Sequence, residues 1–279
     1  MKTRAFVALA TGALALTTVN APTAHADDRD AFSALRSGAV TAAAADVPKI
    51  TSIKVNGGKD LVVGTSKKTF TVKFTAQHPK GVDAALAGLW KGGPDIDRAP
   101  YLLLPPPELQ DRPCIGHSRT TTTCTFTYVA DPKSRVPKAD LANAFAGRWN
   151  VAVAAISKND KLYDNDKHAK HSIKRAAKLT ANASPEPVRR GADVTVTGGL
   201  TRANWDNHKY AGFASGAVKV QFKKQGTRTW TTVKTVRADS RGTVRTKAKA
   251  SADGHYRLAY GGSTTTGRAT STADFIDVR

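Results

Sequence analysis

Thr69-Phe70-Thr71-Val72-Lys73-Phe74-Thr75-Ala76 alternates apolar and polar residues without a break. Successive side chains of an extended strand point to opposite faces. Phe70, Val72 and Phe74 therefore share one side, and Thr71, Lys73 and Thr75 the other. A helix would scatter the same residues around its axis, so the period of two predicts a strand buried on one face. The period recurs outward from this stretch. Thr122, Cys124, Phe126 and Tyr128 share a face between Thr120 and Val129, and Trp149, Val151, Val153 and Ala155 share another. Ala85 to Trp90 reads as a further strand, and Asn56-Gly57-Gly58-Lys59 as a turn. In the second half the faces are Val194 and Val196; Val218, Val220 and Phe222; Trp230, Val233 and Val236; and Tyr256, Leu258 and Tyr260. Gln225-Gly226, Asp239-Ser240-Arg241-Gly242 and Gly261-Gly262 are the turns between them. Short strands bounded by turn residues predict an all-β chain of two β-sandwich domains in tandem.

Other stretches break the period. Pro94, Pro100 and Pro105-Pro106-Pro107 exclude a central strand and predict an extended surface crossing. The segment 138–145 predicts one or two helical turns, and Pro185 and Pro187 mark a linker.

The start of the chain follows a different logic. Lys2 and Arg4 precede an apolar run from Ala5 to Val19, then Asn20-Ala21-Pro22 and the small-residue triplet Ala24-His25-Ala26. That order is the signature of a cleavable export signal over 1–26. The run is shorter than the ~20 apolar residues of a membrane span. A soluble, released, extracellular protein is expected, with no membrane span. A flexible lead-in over 27–47 comes next, then a sandwich with a proline-rich insertion over 48–178 and a second sandwich over 179–279. Each is of the usual ~100–150-residue domain size.

The chain carries 43 Lys and Arg against 22 Asp and Glu, a formal net charge of +21. Residues 177–279 alone hold 18 basic and 7 acidic residues, so no single tail explains the excess. A surplus of this kind draws polyanions at long range and is screened by salt. Acidic cell-envelope or extracellular polymers are the expected partners, with nucleic acid bound only non-specifically. The two cysteines, Cys114 and Cys124, predict a small-loop disulfide in an oxidising compartment, contributing ~2–3 kcal/mol.

Val218-Lys219-Val220-Gln221-Phe222-Lys223-Lys224, Trp230-Thr231-Thr232-Val233, Gly254-His255-Tyr256-Arg257-Leu258-Ala259-Tyr260-Gly261-Gly262 and Asp274-Phe275-Ile276-Asp277-Val278-Arg279 resemble the immunoglobulin-like modules of secreted actinobacterial proteins. Gly147-Arg148-Trp149-Asn150-Val151-Ala152-Val153 gives the first half a weaker likeness to the same group. The resemblance implies an immunoglobulin-like sandwich for each half. It brings no catalytic residues, because such modules serve as spacers, binding surfaces and enzyme appendages alike.

Candidate sites are few. Gly212-Phe213-Ala214-Ser215-Gly216 lacks the Gly-x-Ser-x-Gly spacing of a nucleophile elbow. Asp160, Asp164 and Asp166 are the candidate calcium ligands, a loop of carboxylates crowded by Lys158, Lys161 and Lys167. His168 and His171 have no third metal ligand in sequence, and no metal or cofactor is expected. The densest basic segment supplies Lys167, Lys170, Lys174, Arg175 and Lys178 as candidate polyanion contacts. Trp149 and Trp230 lie in strand patterns and are expected in the core. Trp205 and Tyr210 lie in a polar loop, as an exposed pair or a loop anchor. The expected function is surface binding without catalysis. The alternatives are an enzyme or enzyme inhibitor using the irregular stretch 91–119, and a calcium-dependent module.

Overall fold

The computed structural model describes residues 46–110, 112–136 and 139–279. The export segment 1–26 and nearly all of the lead-in lie outside these residues.

The first group of strands is β1 (Lys49–Val55), β2 (Leu61–Val63), β3 (Lys68–Gln77), β4 (Val82–Lys91) and β5 (Tyr101–Leu103). It continues with β6 (Cys114–Gly116), β7 (Thr121–Ala130), β8 (Gly147–Ser157) and β9 (Leu162–Arg175). One sheet runs β1-β3-β7-β6 and the other β2-β9-β8-β4-β5, with β2 parallel to β9. The alternation in β3 and β7 sets the packing. Phe70 pairs with Tyr128, Val72 with Phe126 and Phe74 with Cys124, all facing a core that includes Trp149, Val151 and Ile173. Tyr128 is fully buried, and its hydroxyl donates 2.7 Å across the sandwich to the carbonyl of Ala87 in β4. Burial pushes that phenol well above its usual pKa.

The second group is β10 (Ala177–Leu179), β11 (Asn182–Ser184), β12 (Asp193–Asn204), β13 (Lys209–Gly212) and β14 (Ala217–Lys224). It ends with β15 (Thr231–Arg237), β16 (Thr243–Lys249), β17 (Gly254–Tyr260), β18 (Ala269–Thr270) and β19 (Asp274–Ile276). β12 is the spine of one sheet, pairing with β10, β11, β13 and β16. The other sheet runs β15-β14-β17, with β18 and β19 both on the far side of β17. Val194, Val196, Val218, Val220, Tyr256 and Leu258 fill the core between them.

In both groups a strand pairs with one several connections later, β3 with β7 and β12 with β16. The facing sheet does the same through β4–β8 and β14–β17. These Greek-key crossings make the chain a tandem of two immunoglobulin-like β-sandwiches. No helix among the described residues is long and apolar enough to cross a membrane.

Two local expectations need correction, and of the two readings of Trp205 the loop anchor is the one the structure takes. Pro185 and Pro187 do not mark the join, because β10 and β11 already pair with β12; the chain crosses between sandwiches at Ala176. The segment before β8 forms only a 3-10 turn at Asn143–Phe145. Trp205 is 1 % exposed, and its burial is in the first sandwich, not its own. The long β12–β13 hairpin carries Ala203 and Trp205 into that core, and Trp205 Nε1 donates 3.3 Å to the carbonyl of Val63. Asn143 holds the hairpin tip from the first sandwich. Its Oδ1 accepts from Trp205 N at 2.9 Å, and its Nδ2 donates to Asn204 Oδ1 at 2.7 Å and to Asp206. Arg175 Nε donates 2.6 Å to the carbonyl of Ala203 in the same seam.

Candidate functional site

The five basic residues read from sequence do not share one face. Lys170 and Lys174 point outward from β9, whereas the core-facing positions are Ala169, His171 and Ile173. Lys174 Nζ lies 2.7 Å from Asp60. Lys167 Nζ sits 5.8 Å from the Trp90 ring centroid, and Lys178 Nζ 4.1 Å from that of Tyr210. Arg175 turns into the seam, where burial and then the like charge of Arg202 pull its pKa down to about 10. Four of the five thus have an intramolecular partner, and Lys170 stands outward as an exposed cation.

Of the acidic candidates, Asp160 occupies the β8–β9 turn at φ 60°, while Asp164 and Asp166 lie within β9. Asp166 accepts from the Ile96 amide at 3.3 Å and gives its carbonyl to Trp90 Nε1 at 2.6 Å. No group of three His, Cys, Asp or Glu suited to a metal ion stands among the described residues. His168 bonds the Tyr163 hydroxyl at 2.7 Å, and His171 faces inward opposite Trp149. Three apart on a strand, the two imidazoles point to opposite sides. Burial lowers both pKa values, partly offset for His171 by Asp60.

The first part of the stretch 91–119 is a cover, and Cys114–Gly116 is the edge strand β6. Ile96, Ala99 and Leu102 pack with Trp90, Ala152 and Ala154 on the outer side of β4 and β8. This is why β8 is buried on both faces. Cys114 and Cys124 are directly opposed on β6 and β7 and disulfide-bonded, with Cα atoms 4.0 Å apart. The bridge ties neighbouring strands of one sheet and does not join the two sheets. Among the described residues, one open concavity is lined by 132–135, 140–142 and the tip of the β12–β13 hairpin, and another by 213–217, Lys219, Thr235 and 260–263. The Ser215 loop lines the second, with no His, Asp or Glu among its lining residues.

The outer face of the β15-β14-β17 sheet is the surface that sequence reading missed. Trp230, expected in the core, is only half-buried. The guanidinium of Arg257 lies 4.0 Å from its ring centroid and Lys223 Nζ 5.3 Å. Arg257 Nε donates 2.8 Å to Gln221 Oε1, and Gln221 Nε2 reaches Thr232 Oγ1 at 3.4 Å. Register puts Lys223 opposite His255, Gln221 opposite Arg257 and Lys219 opposite Ala259, all directed away from the Val218-Val220 core. Phe275 closes the far side, edge-on to His255 at 5.2 Å. None of Lys219, Lys223 or Arg257 has a carboxylate partner among the described residues. Alternation in Val218 to Phe222 shows that Lys219, Gln221 and Lys223 face outward. The cross-strand approach of Arg257 to Trp230 leaves no trace in either segment alone.

No family model matches the chain, and no match was found among curated proteins. Solved structures align over much of its length at low scores. The first three domains of the bacteriophage RB49 outer capsid protein Hoc share 11% identity, over 83% of this chain and 71% of theirs, at a TM-score of 0.30. The D00-D0 domain of intimin shares 10%, over 81% and 99%, at 0.27. The Yersinia pseudotuberculosis adhesin InvE shares 10%, over 84% of this chain and 61% of its own, at 0.27. Likenesses this loose carry nothing beyond strand-rich architecture. The immunoglobulin-like assignment rests on the strand order of the molecule itself.

Proposed function

We propose that the chain is an exported, non-enzymatic binding protein for acidic extracellular polymers. The observation that carries this reading is a second sandwich with 18 basic and 7 acidic residues over 177–279. Its outward cations on β14 and β17 have no carboxylate neighbour. Such a field concentrates polyanions at the surface and is weakened by salt. An export segment places the chain where envelope and matrix polymers are its neighbours. Nucleic acid would be held only through the same unspecific field. The test is sedimentation with purified bacterial cell wall. Retention at low ionic strength with release by added salt is the expected result. No retention at low ionic strength overturns the reading.

A further inference from the structure

The outer face of the β15-β14-β17 sheet is more than a charged surface, because its cations are held in place. Arg257 has its guanidinium carbon 4.0 Å from the Trp230 ring centroid and its Nε committed to Gln221, which itself bonds Thr232. Ordering a free arginine side chain on an anion costs side-chain entropy. Here rotation is already restricted, and the two terminal nitrogens of the fork carry no carboxylate. A planar fork of that kind matches a carboxylate in bidentate geometry. Lys223 shares the same indole, and Lys219 lies two rungs along β14. Same-face positions on a strand recur about every 6.8 Å, so the three cations form a strip spanning about 13 Å. Register brings no acidic residue to this face.

Between and beside the cations stand further polar groups: Thr232, Thr235, Thr270 and Gln221, with His255 beyond Arg257 on β17. They suit hydroxyl-rich ligands. The aromatic content argues against nucleic acid. Bases bind unpaired strands by stacking on open rings, and Trp230 already carries two cations while Phe275 meets His255 edge-on.

We propose that this face binds a linear acidic polysaccharide, with ring carboxylates on the Arg257–Lys223–Lys219 strip and sugar hydroxyls on the flanking Thr, Gln and His side chains. The inference rests on the polyanion reading above and replaces β9 with the second sandwich as the place of contact. At its Lys219 and Thr235 end the strip opens into the concavity of about 560 Å³ bounded by Phe213 and Tyr260, which gives the polymer a direction to continue.

The test uses the whole chain, calorimetric titration with polygalacturonate, and thermal melts to show that each variant folds. Charge-assisted contacts of this kind are worth about tenfold each, so R257Q with K223Q should weaken binding by about a hundredfold. R257K keeps the charge and loses the fork; it should weaken binding about tenfold. W230L leaves net charge untouched and should weaken it several-fold. K170Q on β9 with K178Q on β10, both away from this face, removes the same charge as the first pair and should change Kd by less than about threefold. If wild type binds but the two double variants lose equally, charge alone acts and this inference falls while the broader reading stands. If poly(glycerol phosphate) or single-stranded DNA binds as tightly as polygalacturonate, the polysaccharide assignment falls. If wild type binds no polyanion at low ionic strength, the broader reading falls as well.

Discussion

Replacing Trp205 by alanine is the sharpest perturbation of the architecture, because the residue belongs to one sandwich and fills the other. An aromatic side chain buries ~150–250 Å², which at ~25 cal/mol/Å² gives ~4–6 kcal/mol as an upper bound. Trp205 is 1 % exposed, so nearly all of that area is lost. Large-to-small core substitutions of this type cost ~3–5 kcal/mol in practice. The indole hydrogen bond adds little, because Val63 O keeps the Ala176 amide at 2.7 Å. W205A should therefore destabilise the first sandwich by ~3–5 kcal/mol. It should also loosen the coupling between the modules, since Ala203 alone would then seat the hairpin in that core. Urea titration followed by circular dichroism reads both effects. The expected outcome is an earlier first transition separated from that of the second sandwich. W230A is the control: its half-exposed ring should cost only ~1 kcal/mol, of the order of an exposed cation–π contact. A loss below about 1 kcal/mol for W205A, with the unfolding curve unchanged in shape, would refute the seating of this residue in the first core.

Further outcomes follow from the same contacts. Y128F leaves the buried Ala87 carbonyl without its inter-sheet donor and should cost ~1–2 kcal/mol in equilibrium unfolding, with no change in fold. Reduction of Cys114–Cys124, or its double serine variant, should cost ~2–3 kcal/mol; an unchanged melt on reduction would contradict the bridge. G242A forces a Cβ onto a residue at φ 84° with Phe213 N 2.7 Å away, and should destabilise the second sandwich in equilibrium unfolding by more than the ~1 kcal/mol of an ordinary glycine change. The folded chain holds His168 and His171 below their usual 6.5 because burial opposes the charged form. The unfolded chain then takes up protons first as pH falls through 6.5, so stability present above that pH is progressively lost toward the folded values. Asp239 is held below the usual carboxylate range mainly by the amides of Thr243 and Arg241, so its contribution is complete above that range and is lost progressively as pH falls through it toward the folded value. The melting temperature should fall between about pH 7.5 and pH 5.5, and H171Q should flatten the slope. A slope that H171Q leaves unchanged rules out this source.

Much of the architecture was legible because one-sided burial writes itself into a period of two. Phe70-Val72-Phe74, Cys124-Phe126-Tyr128 and Val218-Val220-Phe222 all face the cores where alternation put them. What alternation cannot encode is which strands meet. Trp149 and Trp230 sit in similar patterns, yet Trp149 is 1 % exposed and Trp230 lies over Arg257 on the outside. Trp205 sits among Asn, Asp, His and Lys, a polar context that suited a loop. Its burial depends on a hairpin long enough to reach the neighbouring sandwich. The basic run from Lys167 to Lys178 looked like one patch because residues adjacent in sequence were read as adjacent on a surface. On a strand they divide between faces, and Asp60, Trp90, Tyr210 and the seam take up four of them. The site on the second sandwich needed residues 34 apart, Lys223 and Arg257, brought to one indole by the β14–β17 register.

The central claim, that the chain binds an acidic polymer through the outer face of its second sandwich, is tested most directly by nitrogen-15 NMR. Side-chain N–H signals of Arg257 and Trp230 would be followed during addition of polygalacturonate at low ionic strength. Both signals should move saturably, together with the amides of β14 and β17, and return as salt is added. Shifts confined to β9, or no shift at all, would contradict the account.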